Sequence, residues 1–116
     1  MELSYKLVLN ELALGKSVQL IGKGNSMDPL IKDKESVMIE PYTDQQLEKG
    51  MVVFVRINHN RFLTHQIVDI VNTSTSTYII GNLAKKIDGP VTKDAIYGII
   101  TKIGKDDSFT GLTVIE

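Results

Sequence analysis

Residues 51–70 read MVVFVRINHNRFLTHQIVDI, two apolar runs joined by a short polar link. Both runs are rich in valine, isoleucine and phenylalanine, which favour β-strands. The link, residues 58–61, contains two asparagines, and asparagine tolerates the backbone conformations of tight turns. The stretch therefore predicts an antiparallel hairpin between Met51–Ile57 and Phe62–Ile70, and it indicates a mostly β fold.

The remaining apolar runs are short and bounded by glycine, proline or polar residues, as strands of small β domains are. They are Val18–Ile21, Ser36–Ile39, Tyr78–Ile80, Ala95–Ile103 and Leu112–Ile115. With the hairpin they make about seven strands. Pro41 is expected to stop the second of them, and the polar residues 72–77 are expected to form a loop.

The N-terminal segment has a helical rather than a strand pattern. Its apolar side chains recur at near-helical spacing, and Gly15 is a natural stop; they are Leu3, Leu7, Val8, Leu12 and Leu14. The pattern predicts a short amphipathic helix. Its Leu3, Leu7 and Leu14 are expected to dock on the sheet or on a partner.

Length and composition restrict the function. The chain has 116 residues, which predicts a single domain over residues 1–116, and its net charge of -1 lacks the basic excess of nucleic-acid-binding proteins. The absence of cysteine excludes thiol catalysis, disulfides and sulfur-ligated metals. No run approaches the roughly 20 apolar residues of a membrane span, and no secretory signal is recognisable. We expect a cytoplasmic protein without metal or cofactor, whose oligomeric state, a homo-oligomer included, stays open.

The first candidate catalytic segment is Gly22–Leu30, with the sequence GKGNSMDPL. Its two glycines allow a sharp turn that presents Ser26, and backbone N–H groups of such a turn can stabilise an oxyanion. A helical start at residues 28–29 is expected to supply such a donor. The alternative is a turn with an ordinary surface serine, because short motifs of this kind often arise by chance.

The second candidate is His65, which lies in a predicted strand among apolar neighbours. Such surroundings favour the neutral imidazole that a general base requires. The alternative is a half-buried structural histidine. His59 falls in the predicted turn and is expected to be solvated.

The segment Gly24–Pro29 is similar to the Gly-x-Ser-Met-x-Pro nucleophile box shared by signal peptidases and the self-cleaving LexA-like repressors. Further landmarks follow in that superfamily's order. Residues 47–54 resemble its Gly-Asp-Ile-Val-Phe strand, residues 64–68 its His-Arg-Val/Ile-Val stretch, residues 80–82 its Gly-Asp-Asn turn and residues 95–103 its closing strand. The resemblance covers roughly Val18 to Ile103 and is moderately specific through the order of its parts.

The resemblance implies a LexA/signal-peptidase-like fold and a serine peptidase of the branch that uses histidine as its base. Ser26 would be the nucleophile, His65 the base and Asp88 the orienting acid. Asp88 also precedes Gly89-Pro90, so turn initiation is an equal alternative for it. Asn82 stands where the superfamily has a turn aspartate. Asn25, Met27 and Asn82 are the expected substrate-binding or oxyanion residues.

Two functions remain open at this stage. In one, the chain is a soluble endopeptidase that cleaves an extended protein or leader-peptide segment through an acyl-enzyme on Ser26. In the other, it is an inactive peptide-binding module that keeps the peptidase fold, as the asparagine at position 82 favours. Lys85 and Lys86 are expected to be solvated charges in either case.

Overall fold

The computed structural model describes residues 3–24, 26–58 and 61–116 of the chain, and for Leu3 the backbone only. In these residues a single α-helix, α1 (Leu3–Ala13), precedes eight β-strands. The strands are β1 (Val18–Ile21), β2 (Ser36–Pro41), β3 (Val52–Ile57), β4 (Arg61–Asn72), β5 (Ser76–Gly81), β6 (Ile87–Val91), β7 (Ile96–Ile103) and β8 (Thr113–Ile115), with a 3-10 turn at Lys93–Ala95. The fold is mostly β with one short N-terminal helix, which confirms the predicted class. No helix in the described part of the chain is long and apolar enough to cross a membrane.

The strands form one mixed sheet in the order β6-β5-β4-β3-β7-β2-β1-β8. Neighbouring strands are antiparallel except β1 and β8, which are parallel. The predicted hairpin is confirmed, because β3 and β4 pair from Val52 opposite Gln66 to Ile57 opposite Arg61. The next residue, Asn58, has a positive φ of 57°, a conformation that asparagine adopts more readily than most residues.

Strand β3 lies at the centre of the sheet and is buried on both faces. Phe54 packs under α1, and its ring stacks on that of Phe62 with the centroids 5.6 Å apart. Val53 and Val55 point to the opposite face, into a second apolar cluster that includes Ile67 and Ile80. Fully burying each such side chain stabilises the fold by about 1.5–3 kcal/mol. The hairpin that decides the fold therefore also supplies the middle of its core.

Helix α1 presents a different face to the sheet from the one predicted. Val8 and Leu12 are buried, whereas Leu7 is 40% exposed and Leu14 is 70% exposed. Val8 and Leu12 are four residues apart and therefore lie on one side of the helix. Leu14 follows the last helical residue, in the turn that Gly15 closes with a φ of 76°. Leu7 and Leu14 therefore do not dock on the sheet, and their docking on a partner stays a prediction. The Leu3 side chain lies outside the described residues.

The region after β4 contains more strand than the sequence predicted. The expected loop over residues 72–77 reduces to residues 73–75, because Asn72 pairs with Ser76 and Val71 with Thr77. Strand β6 was missed, because its Gly89-Pro90 pair argues against a strand. The sheet accommodates this pair because β6 is an edge strand, where a missing N–H donor costs no ladder bond. Pro41 similarly ends β2 as its last residue, opposite Gly98, rather than stopping it at Ile39.

Candidate active site

Ser26 lies in a long loop inserted into the hairpin of β1 and β2. The strands pair up to Ile21 opposite Ser36, and the Lys34 N–H donates to the Gly22 carbonyl at 3.0 Å, which closes the loop at its base. Gly24 has a φ of 103°, a conformation that side-chain-bearing residues rarely adopt. Its N–H donates to Asp33 Oδ1 at 2.8 Å. The loop therefore turns sharply just before Ser26 and leaves it exposed.

The residues after Ser26 form successive turns, so the helical start expected at residues 28–29 was wrong. The Ile31 N–H donates to the Met27 carbonyl at 2.8 Å and completes one turn. A longer helix does not fit, because the chain must return to Gly22 by Lys34. Met27 is buried beneath the loop and lines the cavity beside Ser26. Asn25, the other residue of this loop assigned to substrate or oxyanion binding, lies outside the described residues.

His65 lies on β4, opposite Val53 of β3, and its Nε2 is 2.9 Å from Ser26 Oγ. The fold therefore brings these two candidate residues together, although 39 residues separate them in the chain. Only 6% of the His65 side chain is exposed. The exposed residue Ser26 thus contacts an imidazole that is almost fully buried.

The opposite nitrogen of the same imidazole, Nδ1, lies 2.5 Å from Asp88 Oδ2. Asp88 belongs to β6, and the register between β5 and β6 shifts there: Gly81 faces Ile87 and Ile80 faces Gly89. Asp88 therefore has no partner on β5, as at a β-bulge, which can redirect a side chain. Its side chain is 2% exposed. Of the two alternatives for Asp88, turn initiation is wrong, since the residue lies in a strand and contacts His65.

Asn82 shapes the turn between β5 and β6. Its Oδ1 accepts the Lys86 N–H at 3.0 Å, and its own N–H donates to the Lys86 carbonyl at 3.0 Å. Gly81 is required beside it, because a Cβ there would lie 2.8 Å from the Lys86 carbonyl oxygen. Asn82 therefore contacts its own turn in the described structure, and its predicted role in binding substrate or an oxyanion stays a prediction. Lys85 and Lys86 are exposed, as expected.

The same turn also contacts the loop that carries Ser26. The Leu83 N–H donates to the Ser26 carbonyl at 3.3 Å. One short segment thus connects to Ser26 through its backbone and continues five residues later into Asp88. The sequence offered no signal for this contact, because it depends on how the sheet brings β1 and β5 to the same end of the molecule.

Ser26 and His65 line a cavity of about 130 Å³. Its lining includes the apolar side chains of Leu20, Val37 and Phe62, and also Tyr5 and Glu116. Sequence reasoning missed Tyr5 and Glu116. Glu116 reaches the cavity only because β8 pairs in parallel with β1, and no local pattern indicates that pairing.

The arrangement favours proton transfer from Ser26 to His65. A carboxylate only accepts hydrogen bonds, so Asp88 fixes the proton of the neutral imidazole on Nδ1 and leaves the Nε2 lone pair facing Ser26 Oγ. This is the geometry of a serine nucleophile with its base and an orienting acid. Within the described residues, no group of three or more histidine, aspartate or glutamate side chains could hold a metal ion.

Comparison with sequence profiles of known protein families gives no match, and neither the curated proteins nor the solved structures show significant similarity to the chain.

Proposed function

We propose that the chain is a serine peptidase in which Ser26 is the nucleophile, His65 the general base and Asp88 the orienting acid. Ser26 Oγ attacks the carbonyl carbon of a peptide bond while its proton passes to His65 Nε2. The imidazolium then protonates the departing amine, which leaves an acyl ester on Ser26. A water molecule, deprotonated by His65, hydrolyses the ester and restores the hydroxyl.

The observation that carries the proposal is the unbroken chain of contacts from Ser26 Oγ through His65 to Asp88. The distance of 2.9 Å from Ser26 Oγ to His65 Nε2 lies within the range required for general base catalysis, and Asp88 Oδ2 contacts the opposite nitrogen at 2.5 Å. A buried structural histidine needs partners for its two nitrogens, but nothing in that role requires one partner to be an exposed serine. The exposure of Ser26, set against the burial of His65 and Asp88, favours a nucleophile open to substrate.

The substrate proposed is a protein or peptide segment in extended conformation. The site lies among strands, and an extended chain can add main-chain hydrogen bonds along a strand or loop edge. The peptide-binding module remains the second candidate function. The contact between His65 and Asp88 weakens it, because the acid that position 82 lacks is supplied by position 88.

Labelling with a fluorophosphonate probe tests the proposal without knowledge of the substrate. We expect the unmodified protein to react at Ser26, mapped by mass spectrometry, and the Ser26→Ala variant not to react. Ser74→Ala is the matched control, since Ser74 is an exposed serine at the β4–β5 hairpin tip. Absence of labelling above the level of Ser26→Ala would overturn the peptidase and favour the binding module.

A further inference from the structure

The cavity beside Ser26 combines apolar walls with the carboxylate of Glu116. Leu20, Val37 and Met27 are buried residues that form part of the walls, and Phe62 is 4% exposed. The side chain of Glu116 lines the same cavity. A carboxylate among apolar side chains needs a reason, because an unpaired charge in such surroundings is costly.

Glu116 is held in place by three hydrogen bonds. The Tyr5 hydroxyl donates to Oε1, and the Lys23 N–H donates to Oε2 at 3.3 Å. The backbone N–H of Glu116 donates to the Ile21 carbonyl at 2.9 Å, which continues the pairing of β8 with β1. The two donors to the carboxylate are thus a hydroxyl and one backbone amide. A carboxylate has about four lone-pair sites, so Glu116 can accept further donors.

Three other charged residues line the cavity, and their charges also affect which ligand side chain it prefers. Lys23 and Lys32 are exposed, so water solvates and salt screens their ammonium groups. Glu35 Oε1 accepts the Lys32 N–H at 3.0 Å. Glu35 and Glu116 are both half-buried, and Glu116 is the carboxylate that the Tyr5 hydroxyl and the Lys23 N–H hold in place.

We infer that this cavity binds a lysine or arginine side chain of the substrate, next to the peptide bond that Ser26 attacks. The apolar stem would lie along Leu20 and Phe62, and the cationic head would donate to Glu116, as long basic side chains pair an apolar stem with a charged end. A volume of about 130 Å³ suits one side chain, since an engineered cavity of roughly 150 Å³ holds a benzene molecule. The inference rests on the proposed peptidase and names its substrate class, an extended basic segment.

Two activity-based probes test this preference. A diphenyl phosphonate derived from lysine and one derived from norleucine differ in their side chains by the terminal ammonium. In each, the serine oxygen forms a bond to phosphorus, a phenoxide leaves, and the serine proton passes to it by way of His65. We expect the lysine probe to label Ser26 about tenfold faster or more, as for a charge-assisted contact.

Glu116→Gln should reduce the ratio of lysine to norleucine labelling rates by about tenfold, because the amide lacks the charge. The ratio is measured within one variant, so a general change in reactivity does not affect it. Glu40→Gln is the matched control, since Glu40 is exposed on β2 and does not line the cavity. Its ratio should equal that of the unmodified protein.

The outcomes separate the two proposals. Equal rates for both probes, with labelling at Ser26, would overturn the basic preference and leave the peptidase standing. A faster reaction with a glutamate-derived phosphonate would overturn it too, and would assign the preference to Lys23 and Lys32. Failure of every probe, the fluorophosphonate included, would overturn both. If Glu116→Gln does not fold, the three rates of the unmodified protein decide the question alone.

Discussion

Two regions of the molecule contain clusters of polar and ionisable side chains, and the hydrogen bonds within the two clusters differ. In the candidate active site, hydrogen bonds join Ser26 to His65 and His65 to Asp88. The second region is a polar groove lined by Tyr42, Asp44, Gln45, Tyr78 and Asp94. There burial raises the pKa of Tyr42, with smaller contributions in the same direction from Tyr78 and Asp44.

The two regions differ in the number of residues that separate the two partners of each hydrogen bond in the sequence. The two contacts of His65 span 39 and 23 residues. In the polar groove, Gln45 Oε1 accepts the N–H of Thr43 and Gln45 Nε2 donates to the Pro41 carbonyl, spans of two and four residues. Short-range contacts of this kind satisfy a loop's own backbone. Hydrogen bonds that join separate strands and loops around an exposed serine favour a catalytic site. A groove that only contains titratable side chains does not.

The largest expected difference between the two regions comes from the same aspartate-to-asparagine change made once in each. Asp88→Asn should lower the rate of Ser26 labelling by up to about ten-thousandfold, because an amide can hold the imidazole in the wrong tautomer and cannot stabilise its charge. Asp94→Asn makes the same change in the polar groove and should leave labelling unaltered. Both rates are measured with the fluorophosphonate probe after circular dichroism has shown folding. Equal rates for the two variants would contradict the role of Asp88.

A smaller loss is expected from the amide that shapes the turn beside the site. Asn82→Ala removes the acceptor of the Lys86 N–H, so the turn that contacts Ser26 and leads to Asp88 becomes less ordered. Misplacement of about 1 Å can cost on the order of a hundredfold in rate, and we expect a loss up to that size.

Gln45→Ala is the matched change in the polar groove. It removes the acceptor of the Thr43 N–H and should lower the melting temperature without changing the labelling rate. A comparison of labelling rates and thermal unfolding for both variants separates positioning from stability. If Asn82→Ala lowers only the melting temperature, Asn82 has no positioning role.

Asn82→Asp should have a smaller effect on labelling, in the opposite direction. A carboxylate can still accept the Lys86 N–H, and a negative charge near His65 favours the imidazolium that forms as Ser26 attacks. Because Asp88 already occupies His65 Nδ1, we expect a gain below about tenfold. The gain should vanish in a Ser26→Ala background. A loss instead of a gain would show that the neutral amide is required at this position.

The sequence predicted the parts of the fold that depend on local pattern. Continuous β-branched and aromatic runs in β3 and β4 marked the hairpin, and Gly15 marked the end of α1. The sequence did not predict features that depend on the assembled sheet. Residues 87–91 form strand β6 because an edge position tolerates Pro90. Helix α1 buries Val8 rather than Leu7 because of where the helix lies on the sheet.

The candidate site was only partly predictable for the same reason. The resemblance of residues 24–29 and 64–68 to peptidase motifs singled out Ser26 and His65, but their distance depends on the whole sheet. The role of Asp88 stayed undecided, because a register shift in β6 directs its side chain. No residue type in the sequence predicts such a shift. The sequence did not predict Glu116 as a cavity residue, because its position depends on the parallel pairing of β8, at the end of the chain, with β1.

The smallest expected effect concerns acid stability in the polar groove. The Thr92 hydroxyl donates to the Asp94 carboxylate and holds the pKa of that carboxyl below its ordinary value of 3.8. A lowered pKa in the folded state adds stability above the unfolded value, and this is lost as the pH falls through the folded value. Since Asp94 is fully exposed, the contribution is small. Asp94→Asn should therefore lower the melting temperature slightly at neutral pH, and the difference should close as the pH falls below 3.8. Thr92→Val should behave in the same way, and the double variant should lose little more than either single one. A difference that persists in acid would assign the effect to something other than the charge of Asp94.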